Sequence, residues 1–261
     1  MRRALWGGAE AAVTLGVVVL LLVVHQLWWT NRQARVGAQR TVQALEREWR
    51  GQGQGQAGES AAAGDGADRE GPAVGGDDPA VMPVSPGTGT GPGSGSGTDR
   101  GRVSQESTGP RFDQAYAILS IPRLGLRVPV AEGISKARVL NHGYAGHYPG
   151  TAQPGRAGNF AVAGHRNTHG EPFRYINRLR RGDALSVRTR EATYTYVVDK
   201  TLARTSAADG GVIGPVPRSR VAPSAGYDEP GYYLTLTTCT PEFTSRYRLV
   251  VWGKLARMTP R

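Results

Sequence analysis

YYLTLTTCTPEFTSRYRLVVWGKL, residues 232–255, holds two β-rich apolar runs joined by a short polar turn. Leu234, Leu236 and Thr238 alternate with Thr235, Thr237 and Cys239, the period of two that marks a half-buried strand. Pro241 closes the run, because it has no N–H to give a ladder. On the second run Arg248, Val250 and Trp252 share one face, and Arg246 shares it too. Alternation alone therefore does not choose between the two arginines. Cys239 is the only cysteine in the chain. A free cysteine is commonly a small buried hydrophobe. A thiol ending one strand, with a guanidinium near the start of the next, is also a nucleophile beside an anion stabiliser.

Upstream, NFAVAGHRNTHG (residues 159–170) reads as a short apolar strand ending at Gly164, with His165 opening a loop. Histidine exchanges protons near neutral pH without a large shift, so His165 is the first candidate base. His147, in GHYPG, and His169 are the runners-up, and His142 has a weaker claim. Strand patterns recur at Tyr116–Ile121, Asn159–Ala163, Ala184–Thr189, Thr193–Asp199, Tyr232–Thr238 and Tyr247–Leu255. Helical signals are few: Ser135–Leu140, with Ser135 as its cap, and Pro172–Leu179. Many short strands with Gly/Pro-rich connections predict an all-β barrel or sandwich. Near 150 residues is enough for one such core.

The N-terminal third is different in kind. Residues 1–10 form a leader with Arg2 and Arg3. Residues 11–29, AAVTLGVVVLLLVVHQLWW, would make a helix of roughly 28 Å, about one hydrocarbon core, with Trp28 and Trp29 at its edge. No small-residue cleavage site follows, which favours an uncleaved single-pass anchor over a signal peptide. Arg32, Arg35 and Arg40 flank its far side, so charge does not set the orientation. An inside N-terminus is expected because the large folded part then lies outside the cell. Residues 30–50 form a juxtamembrane segment with helix formers. Residues 51–110, rich in Gly, Pro and Ser, have almost nothing to bury and read as a disordered linker spanning about 40–45 Å r.m.s.. The folded domain is then 111–261.

The net charge is +11 and the sequence pI about 10.3. No zinc-finger spacing, recognition-helix pattern or aromatic RNA-binding stripe accompanies that charge, so nucleic acid is not expected as a partner. Anionic lipid headgroups and wall polymers are better counterparts for an exported domain. No metal-ligand cluster appears and no cofactor is implied.

Thr235-Leu236-Thr237-Thr238-Cys239, followed by Pro241 and by Arg248, resembles the signature of the sortases, membrane-anchored cysteine transpeptidases of Gram-positive bacteria. HYPGTAQPGRAGNFAVAGHRNTHGEPF and the earlier SIPRLGL are similar to class E sortases of actinobacteria. The resemblance implies a closed β-barrel with a few short helices. It assigns Cys239 as nucleophile, His165 as catalytic histidine and Arg248 as third member, with Thr237 and Thr238 expected to contact substrate. It further implies secreted proteins with LPXTG- or LAXTG-type C-terminal sorting signals as substrates, cut between Thr and Gly. The implied acceptor is the amine of a lipid-linked peptidoglycan precursor. A pilin-polymerising sortase, a cysteine hydrolase or protease with the same three residues, and a tethered binding module with an inert thiol are the alternatives.

Overall fold

The computed structural model describes residues 2–62 and 110–261. Residues 63–109, most of the stretch read as a linker, lie outside the described residues. Residues 1–52 and 109–261 group as one compact unit. The second unit is 53–108, of which only the helical residues 53–62 are described.

Eight strands build the first unit: β1 (Ala115–Ile121), β2 (Leu126–Glu132), β3 (Ala145–His147), β4 (Gly158–Ala163), β5 (Ala184–Arg188), β6 (Ala192–Ser206), β7 (Tyr232–Thr240) and β8 (Tyr247–Pro260). They close in the order β1-β2-β3-β4-β7-β8-β6-β5. The expected all-β architecture is present, and closure leaves no open sheet edge. Two strands escaped the sequence reading. Pro129 interrupts β2, and β3 is only three residues long, too short to show a period. The expected helix at Ser135–Leu140 is a turn in which Ser135 Oγ accepts the Arg138 N–H (3.3 Å), followed by a 3-10 turn at Leu140–His142. Pro172–Leu179 contains only the 3-10 turn Ile176–Arg178.

The alternation of the deciding stretch sorts its side chains. Leu234, Leu236, Leu249 and Val251 fill the barrel with Phe160, Val162 and Leu185. Tyr233, Val250 and Trp252 face outward and are covered by Val212 and Tyr227 from the long β6–β7 connection. The indole N–H of Trp252 donates to the Val212 carbonyl at 3.0 Å.

One helix, α1 (Arg2–Ala62), precedes the barrel. Val13, Leu15 and Val17–Val24 are all exposed, and a stretch of this helix has the mean hydropathy, 2.0, and the length to cross a membrane. Farther on, Ala34, Ala38, Val42, Leu45 and Trp49 recur at three- and four-residue steps and are buried, the stripe of a helix lying on a core. Val42, Leu45 and Trp49 pack with Ile118 of β1. Thr41 bonds the Tyr144 hydroxyl at 2.8 Å, and Glu46 pairs with Arg127 and Arg188. The juxtamembrane segment is thus part of the folded unit. Residues 51–62, which begin the composition-defined linker, continue the helix. Their glycines each disfavour helix by about 1 kcal/mol, but a packed helix preceding them removes the nucleation cost.

Candidate active site

Register brings the first two candidates together. In the β7–β8 ladder Cys239 stands directly opposite Arg248. Both are half-buried. The ladder also separates the arginines. β8 begins at Tyr247, so Arg246 lies in the turn, exposed, with its guanidinium 5.1 Å from the Tyr247 ring centroid. Arg248 Nη1 donates to the carbonyls of Ser245 (2.9 Å) and Tyr247 (3.1 Å). Its Nε and Nη2 have no protein partner among the described residues.

The third candidate arrives on the other side of β7. β4 runs parallel to it, with Ala163 opposite Thr237 and the Gly164 N–H donating to the Thr237 carbonyl at 3.1 Å. Past the strand's end the two segments stay in contact: Thr238 donates to the Gly164 carbonyl and Arg166 to the Cys239 carbonyl, which keeps His165, between Gly164 and Arg166 in sequence, alongside the end of β7. Cys239 on β7, Arg248 on β8 and His165 in the loop after β4 therefore gather at one end of the barrel.

The His165 ring is fixed by its neighbours. Its Nε2–H donates to Asn141 Oδ1 at 2.9 Å, which leaves Nδ1 as the proton-accepting nitrogen. The ring stacks on His169 with centroids 5.2 Å apart. Burial, then the His169 charge, then Lys136 push its pKa down to about 4, so the imidazole is neutral at pH 7. Burial also lowers His169.

The loop after His165 is held from outside the barrel. His169, Gly170 and Glu171 have φ of 52°, 83° and 53°, three consecutive left-handed residues that need external support. α1 supplies it. Asn31 Oδ1 accepts the Gly170 N–H (3.1 Å) and its Nδ2 donates to Glu171 (3.0 Å). Arg35 donates to the Gly170 carbonyl (3.0 Å) and to Glu171 Oε2 (2.9 Å), which Arg174 also reaches at 2.9 Å. At Gly143, beside Asn141, an added Cβ would lie 3.1 Å from the carbonyl oxygens of both Ala34 and His169, so only glycine lets the three segments meet.

Thr237 and Thr238, expected to touch substrate, are each 3% exposed. Thr237 Oγ1 pairs with the Tyr148 hydroxyl at 3.0 Å, and Thr238 Oγ1 donates to the Gly164 carbonyl at 2.8 Å. What they do in the structure is fasten β7 to the segments beside it. Arg166, not singled out in the sequence, is buried and donates to the Cys239 carbonyl at 3.2 Å, with Glu242 3.7 Å away. Its position next to His165 was the available signal. Asn141 offered none, since it stands 24 residues from His165.

His147 is removed from this group. It is fully buried on β3, Nδ1 lies 2.6 Å from Glu132 and 3.0 Å from the Tyr116 hydroxyl, and Nε2 lies 2.9 Å from Thr151 Oγ1. His147→Ala is expected to destabilise the barrel by about 3 kcal/mol or more, because it strands the Glu132 carboxylate. Urea unfolding reads this directly. An unchanged midpoint together with lost turnover would instead make His147 the working base.

No group of His, Cys, Asp and Glu with metal-binding geometry occurs among the described residues. Fold and site together define a closed β-barrel carrying a candidate cysteine nucleophile with a histidine and an arginine beside it. The sortase domain family matches residues 119–256, and the chain belongs to the sortase family. Its relatives place it with the class E members. It is 38% identical to Sortase SrtE1 of Streptomyces coelicolor over 97% of its own length, but spans only 57% of that protein. Sortase SrtE2 of the same organism is 29% identical over 95% of the chain and 80% of the relative. Among solved structures, Sortase E1 from Streptomyces coelicolor with a tripeptide in its active site aligns at 49% identity and TM-score 0.54, covering 59% of this chain and 94% of that one. Sortase E from Streptomyces avermitilis aligns at 41% identity and TM-score 0.51, covering 57% and 93%.

Proposed function

We propose that this protein is a membrane-anchored cysteine transpeptidase that cuts an LPXTG- or LAXTG-type sorting signal between Thr and Gly and joins the new carboxyl end to an amine. The observation that carries it is the placement of Cys239 at the end of β7, with Arg248 opposite it on β8 and His165 in the loop that follows the neighbouring β4. The tripeptide in the active site of the Streptomyces coelicolor enzyme supports a peptide substrate. The apolar part of α1 supports anchoring by one span, with residues 1–10 inside and the barrel outside the cell.

The neutral His165 takes the Cys239 thiol proton at Nδ1 as Sγ attacks the threonine carbonyl. Arg248, through its unpartnered edge, donates hydrogen bonds to the oxyanion. The C–N bond then breaks, and His165 passes its proton to the departing glycine amine, leaving a thioester on Cys239. The acceptor amine attacks that thioester, returns a proton to His165, and forms the amide while the sulfur departs and is reprotonated. Asn141 holds the imidazole by Nε2–H, leaving Nδ1 free to take the proton, and Arg166 holds the backbone at Cys239. A cross-bridge amine of a lipid-linked wall precursor is the proposed acceptor.

Mass spectrometry of the full chain with LAXTG and LPXTG peptides, with and without diaminopimelate- or glycine-type amines, tests this. A thioester adduct on Cys239 and an amide product are expected. Free acid at saturating amine, for every amine class, would make the enzyme a hydrolase. A product linked through a pilin lysine would make it a polymerase.

The pH profile of kcat/KM tests the base. A depressed pKa keeps His165 neutral as pH falls, so activity should persist below pH 6 and drop only as pH passes through about 4. His169→Asn removes a charge that disfavours imidazolium, so it should move this acid limb upward. An acid limb near 6.5, the ordinary histidine value, would sink the assignment of a neutral resting base.

A further inference from the structure

We infer that the end of the barrel carrying Cys239 rests on the phospholipid headgroups of the membrane that α1 spans, so that the site opens at the lipid surface. This rests on the anchoring proposed above and adds an orientation to it. α1 is one helix from its exposed apolar stretch through the residues that grip the barrel. Trp29 to Arg35 is six residues, about 9 Å of rise. The grip is ordered along the barrel. Asn31, Ala34 and Arg35 meet Gly143, Gly170 and Glu171, beside His165. Glu46 and Trp49 meet Arg188, and Arg261 also lies over Trp49, at the opposite end. The candidate site is therefore at the end nearest the span. This contact sets the height of the barrel whatever the linker's length.

The chemistry of that end fits a headgroup layer. Phe243, in the turn after Cys239, is 76% exposed and stands at a φ of 62°, a costly conformation for a bulky side chain held out from the protein. Tyr175 is exposed, with the guanidinium of Arg178 4.0 Å and that of Arg174 5.5 Å from its ring centroid. Arg246, in the same β7–β8 connection as Phe243, is exposed as well. Beside Tyr175 a cleft of about 280 Å³, lined in part by Arg35, Arg127 and Arg174, lies between α1 and the barrel. Aromatic rings with arginines are the side chains that seat at a lipid–water boundary, apolar part inward and charge on phosphate. A peptide whose tail lies in the same membrane then meets Cys239 without leaving the surface.

The test uses the full chain with Cys239→Ser, reconstituted in vesicles containing a small fraction of nickel-chelating lipid. A nitroxide is attached at Phe243→Cys or, as control, at Glu191→Cys, and its relaxation by the headgroup nickel is measured. The label at 243 should be relaxed several-fold more than the label at 191. A seven-residue helical insertion after Thr30, two turns or about 10 Å, should bring the two values together. Equal relaxation of the two labels in the uninserted chain, or no response to the insertion, overturns the orientation while leaving the anchor intact. A chain that fails to float with the vesicles overturns the anchoring reading itself.

Discussion

Cys239→Ala is expected to abolish turnover and the thioester adduct together, with no residual reaction above background. The sulfur is the only atom in the site able to form the covalent intermediate, and neither His165 nor Arg248 can substitute for it. The fold should survive, because β7 is held by Leu234 and Leu236 in the core and by the Thr237 and Thr238 bonds to neighbouring segments. Losing a half-buried thiol costs about 1 kcal/mol. Intact-mass spectrometry after incubation with peptide reads the adduct, and thermal unfolding reads the fold. Adduct formation in the alanine variant, or wild-type turnover, would end the cysteine-enzyme reading.

Arg248→Ala is expected to lower the acylation rate by about a hundredfold or more, the usual effect of removing one oxyanion donor. Arg246→Ala should change it little. The structural reason is register: Arg248 faces Cys239 across the ladder, whereas Arg246 is in the turn before β8. Arg248→Lys should recover little. A single ammonium does not bind the Ser245 and Tyr247 carbonyls and still offer a second donating edge. Single-turnover acylation of the three variants decides this. A larger loss at Arg246 than at Arg248 would mean that the turn rearranges when peptide binds and that the exposed arginine is the donor.

The strands legible in the sequence are those long enough to show a pattern. β7 alternates leucines in the barrel with threonines on its other, also buried, face, so its period of two is visible, whereas β8 is legible as a continuous β-branched and aromatic run buried on both faces. β2 carries Pro129 inside its run, and β3 has three residues, so neither has a pattern to read. Both are strands because their neighbours supply the pairing. The buried stripe of α1 was a similar case. Ala34 and Ala38 are small and unremarkable in sequence, yet their size lets the helix backbone approach Gly143 closely. Asn31 and Arg35 looked like ordinary flanks of an apolar run. Their meaning depends on a loop some 140 residues away.

By itself the sequence determined the composition of the elements: an apolar run long enough for a span, a basic folded domain of short strands, one thiol at a strand end. These follow from local periodicity and from residue types, which act over a few positions. Which histidine stands beside that thiol, which of two arginines faces it, and where α1 goes were decided only by the tertiary structure. His147 and His165 both close short apolar strands. Parallel pairing of β3 with β2 sets one against Glu132, and the loop that follows β4, itself parallel to β7, carries the other toward the end of β7 that holds Cys239. Barrel closure joins β4 to β7, strands separated by nearly 70 residues of chain. Pairings at that separation are set by the simultaneous burial of all eight strands, a condition no local window contains.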